Sequence, residues 1–138
     1  MSKNPAFMDT NVILRHVLQD LPEHSVRASE LIARVEAGEE RVLASETVVF
    51  EAVYVLTNFY RIPRSEVAQN LIPLISMPGI ELPGRVDILR AFDLWVERPG
   101  LSFADCFHIF SARRYSSGRI YSFDRKVGAV AGISRLET

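Results

Sequence analysis

Cysteine is almost missing from this chain. Cys106 is the only one in 138 residues, so no internal disulfide can form. Long apolar runs are missing as well: none approaches the roughly 20 residues that a membrane-spanning helix needs, and every apolar stretch has charges close by. No positively charged leader with an apolar core precedes the first apolar segment. These absences predict a cytoplasmic protein that does not enter a membrane. Nor is there an excess of either charge. Lys and Arg total 16 against 17 Asp and Glu, for a net charge of -1 and a pI near 6.3. No global basic field announces a nucleic-acid binder, although local basic patches remain open. Repeats, low-complexity tracts and interdomain linkers are lacking too. With 48% hydrophobic residues, the chain is long enough for one domain with a real core and too short for two ordinary ones, so a single domain over residues 1–138 is expected.

What is present begins with Ala6 to Leu14, an apolar run interrupted by Asp9 and the polar pair Thr10-Asn11. Pro5 can open a strand that ends at Asp9, and Thr10 and Asn11 offer capping side chains to a helix starting near Val12. Ile13, Leu14, Val17 and Leu18 recur at helical spacing, Asp20-Leu21-Pro22 breaks the pattern, and a second helix runs from about His24 to Ala37 before Gly38. Arg41 to Ala44 reads as the next strand. Strand, two helices, strand is a crossover connection, which favours parallel pairing. Ser45 to Tyr60 is rich in β-branched residues but too long without Gly or Pro for a typical strand, so it predicts a buried helix capped by Ser45. A helix from Glu66 to Ile75 follows, with Pro73 expected to kink or shorten it. Ile80 to Leu82 is a short strand, Val86 to Val96 and Ser102 to Arg114 are helices, and Ile120 to Ser122 is a strand. Asp124 opens a short helical segment, and Ile133 to Leu136 supplies a last edge strand. Alternating short strands and helices predict an α/β architecture around a largely parallel sheet.

Four acids stand at informative places in this plan. Asp9 lies at the carboxyl end of a strand facing a helix amino terminus, where α/β folds build their sites, yet a carboxylate there can equally be a plain helix cap. Asp105, in Leu101-Ser102-Phe103-Ala104-Asp105, has the spacing of a capping-box variant with Ser102. Asp124, in Ser122-Phe123-Asp124-Arg125-Lys126, follows a strand and could cap a helix or pair with Arg125 or Lys126. Glu51 falls in the middle of a helix with Val48, Tyr54 and Val55 as helical neighbours, so its carboxylate is expected among apolar groups and in need of a partner.

This set resembles the PIN-domain ribonucleases, and most closely the small VapC-like toxins of prokaryotic toxin-antitoxin pairs. Asp9 in Phe-Met-Asp-Thr-Asn-Val matches the family's opening acid, Glu51 its helical glutamate, Asp105 the acid of its Ser-Phe-Ala-Asp segment, and Asp124 that of its Ser-Phe-Asp segment. The resemblance spans nearly the whole chain. It implies a PIN-like α/β/α sandwich with a central, mainly parallel sheet of four to five strands and the four acids gathered at one end. It also implies a small antitoxin partner and a homodimer. Cys106, Phe107 and His108 follow Asp105 where related sequences often carry small or aliphatic residues.

Clustered carboxylates repel one another unless cations or shared protons neutralise them. One or two Mg²⁺ or Mn²⁺ ions suit an all-oxygen donor set, and a bound divalent ion would favour hydrolysis of an RNA phosphodiester by water. Asp9, Asp105 and Asp124 are the expected ligands, with Glu51 a further ligand or the group that orients the water. Thr10, Asn11 and Ser122 are supporting candidates, though capping and turn formation also account for them. Arg113, Arg114, Arg125 and Lys126 are candidate RNA contacts beside the later acids. His16, His24 and His108 share no metal spacing, Cys106 has no evident catalytic partner, and Trp95, Phe103, Phe107 and Phe110 are assigned to the core. Apolar helix surface between Leu31 and Leu74 is expected to serve an interface. Two other classes compete: a non-catalytic PIN-like module that binds a protein partner, and a phosphatase using an aspartate nucleophile. Against the second, the chain has Asp9-Thr10-Asn11 in place of Asp-x-Asp.

Overall fold

The computed structural model describes residues 4–138, which fall into two compact units, one ending at Arg85 and the other starting at Val86. The first unit contains β1 (Ala6–Phe7), α1 (Thr10–Leu18), α2 (Pro22–Glu36), β2 (Val42–Leu43), α3 (Glu46–Tyr54), a π-helical segment (Val55–Phe59), α4 (Arg64–Ile75) and β3 (Ile80–Glu81). All three strands are parallel in the order β1-β2-β3, with Ala6 opposite Val42 and Val42 opposite Ile80. The crossover expected from the order of elements is therefore present. The ladder runs past the strand ends: the Met8 amide donates to the Leu43 carbonyl at 2.8 Å, and the Ala44 amide to Glu81 at 2.9 Å.

Helices of this unit keep their apolar faces inward, as their spacing requires. Ile13 and Leu14 of α1, Ile32 and Val35 of α2, Val48, Val49, Ala52 and Val53 of α3, and Val67, Leu71 and Leu74 of α4 are all buried. Most of the apolar surface between Leu31 and Leu74 is thus core, which narrows the interface expected there. Its exposed aromatic residues are Tyr54, Phe59 and Tyr60, and Val26 of α2 faces solvent although it is apolar. Pro73 does not end α4, which continues to Ile75. It sits exposed in the last turn, where a missing amide costs one bond near the helix end. Thr57 bonds back to the Val53 carbonyl at 2.6 Å where α3 widens into the π-helical segment, and that widening had no signal in the sequence pattern.

The second unit holds most of α5 (Arg85–Glu97), then α6 (Phe103–Tyr115), β4 (Arg119–Tyr121), α7 (Arg125–Gly128) and β5 (Ser134–Leu136). β4 and β5 pair in parallel, with Ile120 opposite Arg135. Among the described residues the five strands thus form a three-stranded and a two-stranded parallel sheet. Phe92, Trp95 and Phe103 pack edge-to-face or tilted at centroid distances of 4.6 to 6.1 Å, so Trp95 and Phe103 fill the core as expected. Phe107 and Phe110 are half-buried. Among the described residues, no helix is long and apolar enough to cross a membrane.

Gly118 shows how tightly β4 and β5 are joined. It is buried at φ +77°, its carbonyl accepts the Ser134 amide at 2.8 Å, and a Cβ built on it would run into the Gly132 carbonyl oxygen. An L side chain is disfavoured there twice over, by backbone conformation and by contact. Gly118→Ala should cost at least about 2 kcal/mol, read as a lower urea midpoint at unchanged slope. An unchanged midpoint would show that the strand pair does not depend on this approach.

Candidate active site

Asp9 follows the last ladder residue, Met8, and is itself the N-cap of α1. Its Oδ2 accepts the Asn11 amide at 3.4 Å, and among the described residues Oδ1 has no partner. The helix therefore starts at Thr10, not near Val12, and the capping group is Asp9 in place of Thr10 or Asn11. An aspartate just beyond a strand has the extended backbone and the acceptor oxygen that a cap requires. Thr10 is buried at the first helical position, and Asn11 supports Asp9 through its backbone amide.

Glu51 differs from expectation. It is exposed in the middle of α3, and its carboxylate has no hydrogen-bond or ion-pair partner among the described residues. Buried positions 48, 49, 52 and 53 form one face of the helix, while Thr47, Glu51, Tyr54 and Asn58 form an exposed stripe opposite. Val48 is a helical neighbour of Glu51 yet points into the core, because residues three apart can straddle the edge of an amphipathic face. Burial therefore does not force a partner on Glu51. Its carboxylate is instead available to one from outside.

In the second unit Asp105 completes a capping box at the start of α6: its Oδ2 accepts the Ser102 amide at 3.1 Å while its own amide donates to Ser102 Oγ at 3.0 Å. Asp124 caps α7. Its Oδ1 accepts the Lys126 amide at 2.9 Å and lies 3.5 Å from Lys126 Nζ, and Ser122 Oγ accepts the Asp124 amide at 3.0 Å. Ser122 thus steadies the backbone that carries the acid. In each of the three caps a single carboxylate oxygen makes the bond, and the cap leaves the other unused.

The basic candidates divide. Arg114 donates through Nε and Nη2 to both oxygens of the buried Asp87 at 2.7 and 2.9 Å, which holds that carboxyl below its ordinary value of 3.8. Arg113 donates to the Ala131 carbonyl and lies over the Phe110 ring at 5.2 Å. Both guanidinium groups are largely engaged within their unit, for no local reason that the sequence displays. Arg125 is exposed without an ion pair among the described residues, and Lys126 faces Asp124. Cys106 is buried as an unbridged thiol and His108 is exposed. His16 is half-buried with Nδ1 2.8 Å from Ser29 Oγ, and burial lowers its pKa from the ordinary 6.5. Sequence reasoning missed two exposed aromatic rings: Tyr54, one helical turn from Glu51, and Phe123, next to Asp124. Their position beside acids was the signal.

Among the described residues, no group of three or more His, Cys, Asp or Glu side chains is gathered so as to hold a metal ion. The donor chemistry nonetheless fits a hard divalent cation, because Mg²⁺ keeps several waters and uses one or two carboxylates plus substrate phosphate, not an all-protein cage. Asp9 and Glu51 belong to the first unit, Asp105 and Asp124 to the second.

Searches of curated proteins and of solved structures gave no match. The family model of the PIN domain matches residues 6–133, a span that contains all four acids and crosses both units. PIN domains have an α/β/α fold, are generally metal-dependent hydrolytic nucleases, and as nucleases bind RNA. With its parallel strands, its intervening helices and a match over nearly its whole length, this chain belongs to the PIN-domain family.

Proposed function

We propose that this protein is an Mg²⁺- or Mn²⁺-dependent endoribonuclease with Asp9, Glu51, Asp105 and Asp124 as its working carboxylates. In this reading residues 1–138 act as a single PIN-like domain. The observation that carries the proposal is the state of these acids: three are fixed at helix starts through one oxygen each, and Glu51 is exposed with no partner among the described residues. A cap used in this way is a rigid mount for the second oxygen.

Asp9, Asp105 and Asp124 would hold the cation through the oxygens not spent on capping. When bound, a divalent ion supplies charge neutralisation at the phosphate and makes a water more acidic. Glu51 serves as a further ligand or orients the attacking water, whose oxygen joins phosphorus as the bond to the leaving ribose oxygen breaks. Thr10 and Asn11 fix the start of α1 behind Asp9, and Ser122 fixes the turn behind Asp124. Arg125 and Lys126 remain the basic groups best placed to meet phosphate near Asp124, whereas Arg113 and Arg114 have little left to offer. The protein acts, on this reading, in the cytoplasm as the toxin of a toxin-antitoxin pair, restrained by a small antitoxin and assembled as a homodimer. Phe7, Tyr54, Phe59 and Tyr60 are exposed aromatic groups available to such contacts in the first unit.

Cleavage of a defined RNA by purified protein, with Mg²⁺ or Mn²⁺ and again with chelator, tests the activity. No cleavage in either metal would favour the non-catalytic binding module. Asp124→Asn separates capping from ligation. Asn caps a helix about as well as Asp, so in chelator the variant should melt within about 2 °C of the parent. Added Mg²⁺ should then stabilise the parent more than the variant, since only a folded state that binds the ion gains by it. Equal stabilisation of both would remove Asp124 from the ligand set.

A further inference from the structure

α1 and α2 border an open cleft of about 570 Å³, and apart from Asn11 none of its lining residues has a role in the proposed chemistry. Its floor is apolar, with Val12 from α1 and Leu31 from α2, and its rim carries Arg15, Arg27 and Arg34 against one acid, Glu30. The three guanidinium groups are not alike. Arg15 is held by Asp20 at 2.7 Å with its side chain 17% exposed, so its charge is largely committed. Arg34 meets Glu40 only at 3.8 Å, with both side chains nearly half exposed, which is a loose surface pair that a phosphate could displace. Arg27 is exposed and has no ion pair among the described residues. Arg27 and Arg34 are seven residues apart, two helical turns, and so stand on one face of α2 about 10 Å from each other along its axis.

The cleft has a direction. α1 and α2 are joined by a short loop, which makes them antiparallel neighbours, and the bond between His16 and Ser29 sets their register. Arg34 then falls at the end of the cleft where Asn11 lies, and Arg27 at the other. Asn11 lines the cleft while its backbone amide donates to the Asp9 carboxylate at 3.4 Å, so one end of the groove is one hydrogen bond from a proposed catalytic acid, and two available guanidinium groups lie along it.

We propose that this cleft carries the phosphate backbone of the RNA strand to one side of the scissile bond, with Arg34 and Arg27 meeting different phosphates along it. The inference rests on the nuclease reading, because a strand whose scissile phosphate sits at Asp9 must leave along the surface beside it. A guanidinium fork suits a phosphate, and two forks on one helix face suit a repeating anion better than a single carboxylate.

The test uses Asp9→Asn protein in Mg²⁺ buffer, which should bind without cutting, and a fluorescein-labelled single-stranded oligouridylate followed by anisotropy across a range of KCl. Adding Arg27→Ala and Arg34→Ala should weaken binding about tenfold at low salt. The slope of log affinity against log salt should also shrink by about 0.7 for each phosphate that is no longer neutralised. Arg27→Lys with Arg34→Lys keeps the charges and should restore most of the slope. Melting curves of each variant provide the check that the fold is intact, since both side chains reach solvent. An unchanged slope in the double alanine variant, while the parent cuts RNA, would overturn the cleft as an RNA track and leave the nuclease reading in place. If, in addition, the alanine variant failed to retain a polypeptide that copurifies with the parent, the cleft would belong to a protein partner. Failure of the parent both to cut and to bind RNA would overturn the two readings together.

Discussion

Asp9→Asn should reduce metal-dependent RNA cleavage about a hundredfold or more while leaving the melting temperature in chelator close to that of the parent. The two halves of this expectation come from different atoms of one side chain. Oδ2 caps α1 by accepting the Asn11 amide, and an asparagine carbonyl does that nearly as well. Oδ1 and the negative charge are what a divalent cation and the phosphate chemistry require, and removing one such electrostatic contribution typically costs two to three orders of magnitude in rate. Asp105→Asn and Asp124→Asn should behave in the same way, because their caps are also built on one oxygen each. Initial rates on one RNA substrate, set beside circular dichroism melts of the same preparations, give both readouts. Near-parental cleavage by all three variants in metal-limited buffer would end the shared-site reading.

Arg114→Ala should invert the acid response of stability. In the parent, Asp87 is 5% exposed and receives two bonds from Arg114. Its folded pKa lies below 3.8, first because of those bonds. Stability from the pair is therefore complete above the unfolded value and is lost as pH falls through the lowered folded pKa. Remove the guanidinium and burial, which acts in the opposite sense on Asp87, is left without its main counterweight. The folded pKa then rises above the unfolded one. Arg114→Ala should melt several degrees below the parent at pH 7 and recover part of the deficit near pH 5, while the parent gains nothing from Asp87 over that interval. Asp87→Asn should be milder at pH 7, since the Arg114 side chain is 43% exposed and can return to water. Parallel profiles for parent and Arg114→Ala between pH 7 and 5 would show that the pair does not govern this response.

The main features legible in the sequence are those set by local chemistry. The strand before Asp9, the end of α2 at Gly38, the Ser45 cap and the Ser102-Asp105 box all follow from side chains within a few positions of the feature they create. Gly38 stands at φ +80°, and Ser45 Oγ accepts the Val48 amide at 3.3 Å. The side of α3 on which Glu51 lies is not legible in the same way, because helical neighbours report adjacency and not which half of the circumference faces the core. Arg114 reads as a surface cation in the sequence because its partner lies 27 residues earlier, and no local pattern links positions so far apart. The α1–α2 cleft has no sequence signal for a related reason: Arg27 and Arg34 border a groove only once α2 is packed against α1.

On the proposed reading, in which one carboxylate oxygen serves a cap and the other the chemistry, the site has an evolutionary consequence. Asp and Asn codons differ by a single nucleotide, and at Asp9, Asp105 or Asp124 that change would abolish the proposed reaction while preserving the turn into the helix. Inactive descendants of such a gene would still fold, still display the same outer surfaces and still be open to selection as binding proteins. A site built in this way lets a lineage give up catalysis in one step without losing the protein.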